Sequence, residues 1–211
     1  LVVGTNRLCA TLGAATASYT FYRRQLFNPA LWRNGLLGTA IGALLGASLA
    51  HWLPAAWLNQ MLPVVVFACG LYLLFSGPPR VAPAVVAAIP RGRQWPQGLA
   101  LGFYDGVAGP GTGAFWTVSN MLLYPLDLLR ASGVARSMNF VSNAMALTVF
   151  IVHGQVAWLL GISMGLALMA GAFFGARTAI KGGNRFIRPV FILVVLALTA
   201  RLAWQHWFGM A

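Results

Sequence analysis

Three observations predict an all-α integral membrane protein built as an inverted-repeat helical bundle. They are an apolar and nearly uncharged composition, a series of bilayer-length apolar segments, and a gapless internal repeat. A re-entrant hairpin broken by glycines completes the expected fold, and an N-terminal hairpin equivalent to it is expected to be missing from this chain. Of 211 residues, 59% are hydrophobic and 8% charged, far too little charge for an ordinary soluble surface. Fourteen Lys and Arg against two acids give a net charge of +12. In a soluble protein that balance points to nucleic acid. Here the basic residues sit in short connectors between apolar runs, so they read as topology signals and lipid headgroup contacts, and no nucleic-acid partner is expected.

Leu1 to Gly4 lacks the basic segment and the cleavage site of a signal peptide, and the chain opens without Met directly before a helix. Apolar runs of bilayer length, about 17 to 25 residues, fall at 5–22, 31–52, 58–76, 133–152, 156–178 and 186–207. Between the third and fourth, residues 97–129 hold two shorter apolar pieces around Gly109-Pro110-Gly111-Thr112-Gly113, which cannot continue a helix. Four prolines between Ser76 and Arg93 mark a polar connection. The expected organisation is a first repeat over 1–76 with three spans, a Pro-rich cytoplasmic linker over 77–96, and a second repeat over 97–211 with the hairpin and three spans.

A shift of 129 residues carries Gly4 onto Gly133, Arg7 onto Arg136, Ala17 onto Ala146, Phe21 onto Phe150, Gly42 onto Gly171 and Gly46 onto Gly175. Beyond a three-residue offset Pro63 meets Pro189. The pattern reads as a duplication whose second half begins with the hairpin, while the first half has only three residues ahead of Gly4. Charge decides how residues 97–129 cross. A single crossing leaves seven basic residues on each side; a re-entrant hairpin leaves only Arg7 and Arg201 on one side and gathers the other twelve of fourteen on the other. The second arrangement follows the positive-inside rule, makes each half three crossings, and inverts the repeats.

The polar residues inside these apolar runs are the candidate site. In the loop, Gly109, Gly111 and Gly113 allow close backbone approach and Thr112 is placed to cap a half-helix starting near Ala114; open amides at such an N-terminus favour an anion. A packing kink is the competing reading. Asp105 stands four residues ahead of the loop, where a charge at the bilayer centre costs about 2.5–3.5 kcal/mol and needs a partner or a proton. Three roles stay open for it: pairing with an Arg of the other half, carrying a coupling proton, or ordering the loop. Asp127 beside Arg130 reads as a surface ion pair. Arg7 and Arg136, equivalent in the two halves, read either as gate cations on opposite sides or as interfacial snorkelling arginines. Arg136, Asn139 and Asn143 share one helical face, and Asn6 and Thr5 carry the same ambiguity between substrate contact and interhelical bonding.

Gly42/Gly46 and Gly171/Gly175 are expected to be faces for close helix packing. Cys9 and Cys69 read as small buried hydrophobes, and His51, His153 and His206 as interfacial residues. No metal site, cofactor or catalytic set is expected, so the chain does not read as an enzyme.

The string from Gly102 to Trp116, GFYDGVAGPGTGAFW, resembles the GFYDGFFGPGTGSF signature of the sulfite exporter TauE/SafE family of membrane transporters. Gly4-Thr5-Asn6-Arg7-Leu8 is similar to the GTNKL element that opens the family's second helix. Ala135-Arg136-x-x-Asn139-x-x-x-Asn143 resembles its AK-x-x-N-x-x-x-N element. The family's GIGGG-type segment ahead of GTNKL has no counterpart here. The resemblance implies movement of a small anion such as sulfite, thiosulfate, an organosulfonate or a small carboxylate, often outward across the inner membrane by a multi-pass protein. The expected mechanism is alternating access, with Gly109, Gly111, Thr112, Gly113, Asn139, Asn143 and Asn6 around the anion and Arg7 and Arg136 attracting it. A passive anion channel and a non-transporting scaffold are the alternatives, and homo-oligomer formation is left open.

Overall fold

The structure, a computed structural model, describes residues 1–50 and 90–207, and within them it is entirely helical. The helices are α1 (Val2–Arg23), α2 (Arg33–Leu49), α3 (Arg91–Val107), α4 (Thr112–Leu123), α5 (Leu128–Val152) and α6 (Trp158–Trp207). They stand over every expected span except 58–76, which lies outside the described residues with Pro63, Cys69, His51 and most of the expected linker. By length and composition, α5 and the part of α6 up to Val194 can each cross a membrane. At Gly183, with φ 62° and ψ −162°, α6 breaks, and beyond it Ile187 and Phe191 pack onto Phe115, Val118 and Leu128.

α1 carries polar side chains along its length, and the helix absorbs four of its threonines itself. The hydroxyls of Thr5, Thr11, Thr16 and Thr20 donate to the carbonyls of Leu1, Arg7, Leu12 and Thr16 at 2.7–3.0 Å. Its small residues then admit its neighbours. A side chain on Gly13 would collide with Leu168 of α6, and Gly161 and Gly165 of α6 receive Leu8 and Leu12 in return. Cys9 is buried and its thiol donates to the Gly161 carbonyl at 3.3 Å.

Residues 97–129 form a hairpin, not one broken span. Gln97 of α3 donates to Ser119 Oγ and Asn120 Oδ1 of α4 at 2.7 and 2.9 Å, and Tyr124 donates to Gln97 Oε1 at 2.9 Å. Nearer the tip the Tyr104 and Phe115 rings pack at 5.1 Å, so α3 and α4 run antiparallel. α3 begins at Arg91, inside the stretch expected to be linker. Pro90 fixes the backbone at its N-terminus, and Gln94, polar enough to suggest a surface, is buried with its amide bonded to Leu31 O at 2.8 Å and Gly35 N at 3.2 Å.

The 129-residue shift reappears in the geometry of α1 and α5. Both helices end on a residue with positive φ, Gln25 at 60° and Gly154 at 66°, whose positions differ by 129. In both, the next amide bonds back to the equivalent phenylalanine carbonyl, Leu26 N to Phe21 O at 3.1 Å and Gln155 N to Phe150 O at 2.9 Å. The contacts between the two helices are exchanged by the same shift. Gly133 faces Phe21 and the Leu26 carbonyl, while Gly4 faces Phe150 and the Gln155 carbonyl.

The halves differ in their glycine faces. Gly38, Gly42 and Gly46 of α2 interlock with Gly98, Gly102 and Gly106 of α3 at backbone contact: a Cβ on Gly42 would lie 2.8 Å from the Phe103 nitrogen. Gly171 and Gly175 were expected to pack in the same way, but they meet no described atom within 4 Å. The helix that seats on α2 is α3, and α6 carries no such neighbour among the described residues.

Candidate functional site

The tip of the α3/α4 hairpin is a four-residue break, Ala108 to Gly111, between the last turn of α3 and the first of α4. Gly109 and Gly111 have φ of 85° and 79°, the left-handed region that glycine enters without strain. A side chain on Gly109 would also lie 3.1 Å from Arg7 Nη1, so the turn and the arginine require the same absence of Cβ. Tyr104, a residue the sequence reading did not single out, pins the tip by donating from its hydroxyl to Pro110 O at 2.8 Å.

Arg7 enters from α1 and binds the end of α3. Its Nη1 donates to Asp105 Oδ1 at 2.9 Å and to Asn143 Oδ1 at 3.0 Å, and its Nη2 donates to the Asp105 carbonyl and, at 3.2 Å, to the Gly106 carbonyl. Arg7 is 4% exposed and Asp105 1%. The second carboxylate oxygen of Asp105 accepts from Ser142 Oγ, another residue missed in the sequence; its signal was its place one residue before Asn143 in the α5 polar face. Asn143 is engaged at both ends, since its Nδ2 donates to Asn139 O at 2.8 Å. Thr5 is engaged too, accepting from the Ala157 amide at 3.0 Å.

Two expectations are corrected here. Thr112 does not cap α4: Gly111 is the N-cap, Thr112 is the first helical residue, and its hydroxyl donates backward to Gly109 O at 2.5 Å. The left-handed Gly111 brings the chain into the helix two residues earlier than Ala114 and leaves Thr112 facing the loop carbonyl. Asp127 does not pair with the Arg130 side chain. It is the N-cap of α5, accepting from the Arg130 amide at 2.9 Å and from Asn184 Nδ2 at 3.1 Å.

Arg136 and Asn139 are arranged differently from Arg7 and Asn143. They stand on α5 over the start of α4, where a methyl built on Gly113 would lie 3.4 Å from Asn139 Nδ2 and 3.8 Å from Arg136 Nη1. Asn139 Oδ1 is buried without a hydrogen-bond partner among the described residues. Arg136 is exposed and, among the described residues, has no acid beside it. The chain has only two acids, and both are committed, one to Arg7 and the other to the α5 cap. A cavity of about 740 Å³ joins these parts, lined by Asn6, Arg7, Asp105, Gly109, Asn139 and Asn143 among others. The structure thus brings together Asn6, Arg7, Asp105, Gly109, Asn139 and Asn143 around one cavity, and sets Arg136 and Gly113 beside Asn139.

A helical membrane protein with a donor-rich broken hairpin at its centre is the class this geometry defines. A sequence model of the sulfite exporter TauE/SafE family matches residues 1–202. The chain is 35% identical to probable membrane transporter protein ORF9 of Sinorhizobium sp, over 95% of this chain and 77% of that one. It is 30% identical to probable membrane transporter protein YfcA of Escherichia coli, over 99% of this chain and 80% of that one. A probable membrane transporter protein of Haemophilus influenzae is 33% identical over 99% and 82%. No solved structure matches. The chain belongs to the sulfite exporter TauE/SafE family and is a membrane transporter of that type.

Proposed function

We propose that the chain is a secondary transporter of a small anion, sulfite, thiosulfate, an organosulfonate or a related small carboxylate, working as an exporter by alternating access in the inner membrane. The observation that carries this reading is the uncompensated Arg136 beside the N-terminus of α4. A helix N-terminus bears about half a positive charge, a guanidinium adds a full one, and the nearest side chain, Asn139, offers further donors. Three sources of positive potential converge, the one acid of the cavity, Asp105, is already paired with Arg7, and an anion relieves the excess. Arg7, Asn143 and Asp105 hold the other side of the cavity and keep the hairpin tip in place. The exchanged contacts of α1 and α5 support an inverted repeat with several crossings, the architecture in which a half-helix tip reaches a central site. The residues around the cavity are suited to binding and not to catalysis, and the reading is not enzymatic.

The test is counterflow. Proteoliposomes holding the full-length protein and loaded with unlabelled sulfite are expected to take up labelled sulfite faster than empty liposomes, and Arg136→Ala to abolish the difference at equal protein. Efflux without counterflow would favour a passive channel. Absence of flux for sulfite, thiosulfate, sulfonates and small carboxylates alike would overturn the reading.

A further inference from the structure

Away from the hairpin, the C-terminal end of α1 and the Gly183 end of the first part of α6 lie side by side, and two adjoining hollows of about 410 and 480 Å³ open between them. Their linings hold Arg23, Arg24, Arg177 and Lys181, contributed by both helices, with Tyr19, Thr20 and Phe173. Both acids of the chain are committed elsewhere, so this cluster of four cations is uncompensated. Two of the guanidiniums stand by rings instead. Arg177 lies 3.9 Å from the Phe173 centroid, which orients it, and Arg23 lies 6.0 Å from that of Tyr19, at the edge of such a contact; both leave their N–H donors unspent.

The position of the hollows narrows what fills them. At about 100° per residue, Leu168, Ala172 and Ala176 form the stripe of α6 that packs on α1, whereas Phe173, Arg177 and Lys181 fall on its outer flank. The outer rim carries exposed apolar and aromatic residues, Tyr19 at 61%, Tyr22 at 50% and Phe174 at 67%. Aromatic rings beside basic residues at the end of a membrane helix mark the headgroup level. A ligand there has a negative, multiply accepting head among the guanidiniums and an apolar body along the helices.

We propose that this crevice binds the phosphate of an anionic phospholipid headgroup, seated among Arg23, Arg24, Arg177 and Lys181. The phosphate bridges α1 and α6 and neutralises charges that otherwise repel, so the lipid ties together two helices that also line the central cavity. A free phosphate offers the same head but no apolar body for the rim.

The full chain in neutral detergent is titrated with phosphatidylglycerol, phosphatidylcholine or inorganic phosphate, and bound ligand is read by native mass spectrometry alongside the melting temperature. Phosphatidylglycerol is expected to bind and stabilise, and phosphatidylcholine and inorganic phosphate are expected to do neither at equal concentration. In the Arg24→Gln/Arg177→Gln variant, affinity for phosphatidylglycerol should fall about thirtyfold, the summed contribution of two basic residues at a membrane surface. Arg91→Gln/Arg185→Gln, with the same change in net charge elsewhere, should retain it. Equal binding of the two lipids, protection by inorganic phosphate matching phosphatidylglycerol, or equal losses in the two double variants would each overturn the proposal. The wild-type comparisons decide it even if the first variant fails to fold.

Discussion

Replacing Asp105 by Ala leaves Arg7 buried at 4% exposure without its counter-charge. Removing one partner of a buried pair costs about 3–5 kcal/mol, because the other charge stays desolvated and unpaired. Three acceptors remain for Arg7, the Asn143 side chain at 3.0 Å, the residue-105 carbonyl, and the Gly106 carbonyl at 3.2 Å. They place the loss at the low end, about 3 kcal/mol, or roughly 6–12 °C in melting temperature for a chain of this length. Ser142 loses an acceptor but keeps the Asn139 carbonyl at 3.2 Å, so it adds little. Asp105→Asn retains an acceptor for Nη1 and should cost about 2 kcal/mol, the worth of a charged hydrogen bond. Arg7→Met/Asp105→Leu removes both charges, and its cost should fall below the sum of the single changes by at least about 1 kcal/mol. The assay is thermal and denaturant-induced unfolding of the purified protein in detergent, with the two readouts compared. A loss under about 1 kcal/mol for Asp105→Ala, or an additive double variant, would refute the argument that this pair is held by mutual charge compensation.

Four further outcomes follow from local geometry. Gly42→Ala drives a methyl against the α3 backbone and should lower the melting temperature through about 1–3 kcal/mol of overpacking, whereas Gly175→Ala, with no described atom within 4 Å, should raise it by up to about 1 kcal/mol of helix propensity. Gln25 holds φ 60° where its equivalent is Gly154, so Gln25→Gly should stabilise by about 1 kcal/mol in the same unfolding assay. Asp127→Ala removes the cap of α5 and the acceptor of Asn184, and should cost about 1–2 kcal/mol with no change in the expected counterflow per folded molecule.

The hairpin was legible because its signal is local: a Gly-Pro-Gly string cannot continue a helix, and the distribution of Arg and Lys chose reversal over crossing. The positions of the other helices were legible from apolar length alone. The start of α3 was not, since Gln94 and Gln97 look like surface residues until Leu31, Gly35, Ser119 and Asn120 are seen around them. Nor could spacing separate Asn139 from Asn143. They lie four residues apart on one face, and only the arrival of Arg7 from a distant helix commits one and leaves the other open. Pairing of Asp105 with an arginine was among the readings its isolation allowed; which arginine, and the part of Ser142, depended on contacts between segments over 30 residues apart in sequence. Gly171 and Gly175 show the reverse case, a packing motif that meets no neighbour among the described residues.

The two equivalent arginines show how one repeated residue serves two ends of a single break. Arg7 lies at the C-terminal end of α3, where carbonyls point outward with about half a negative charge, and Asp105 adds a full one. Arg136 lies at the N-terminal end of α4, where the dipole is positive, and no carboxylate stands within ion-pair distance of it; Asp105 is paired with Arg7 instead. The first cation is neutralised by the protein, and under the proposed function the second is the one left for the anion. Their variants should separate accordingly. Arg7→Ala strands a buried carboxylate and should lower stability by about 3 kcal/mol. Arg136→Ala relieves like-signed potential and should leave melting unchanged or slightly raised while abolishing anion counterflow. If instead Arg136→Ala unfolds the protein and Arg7→Ala leaves it intact, the assignment of the two ends is wrong, and the anion belongs on the α3 side of the break.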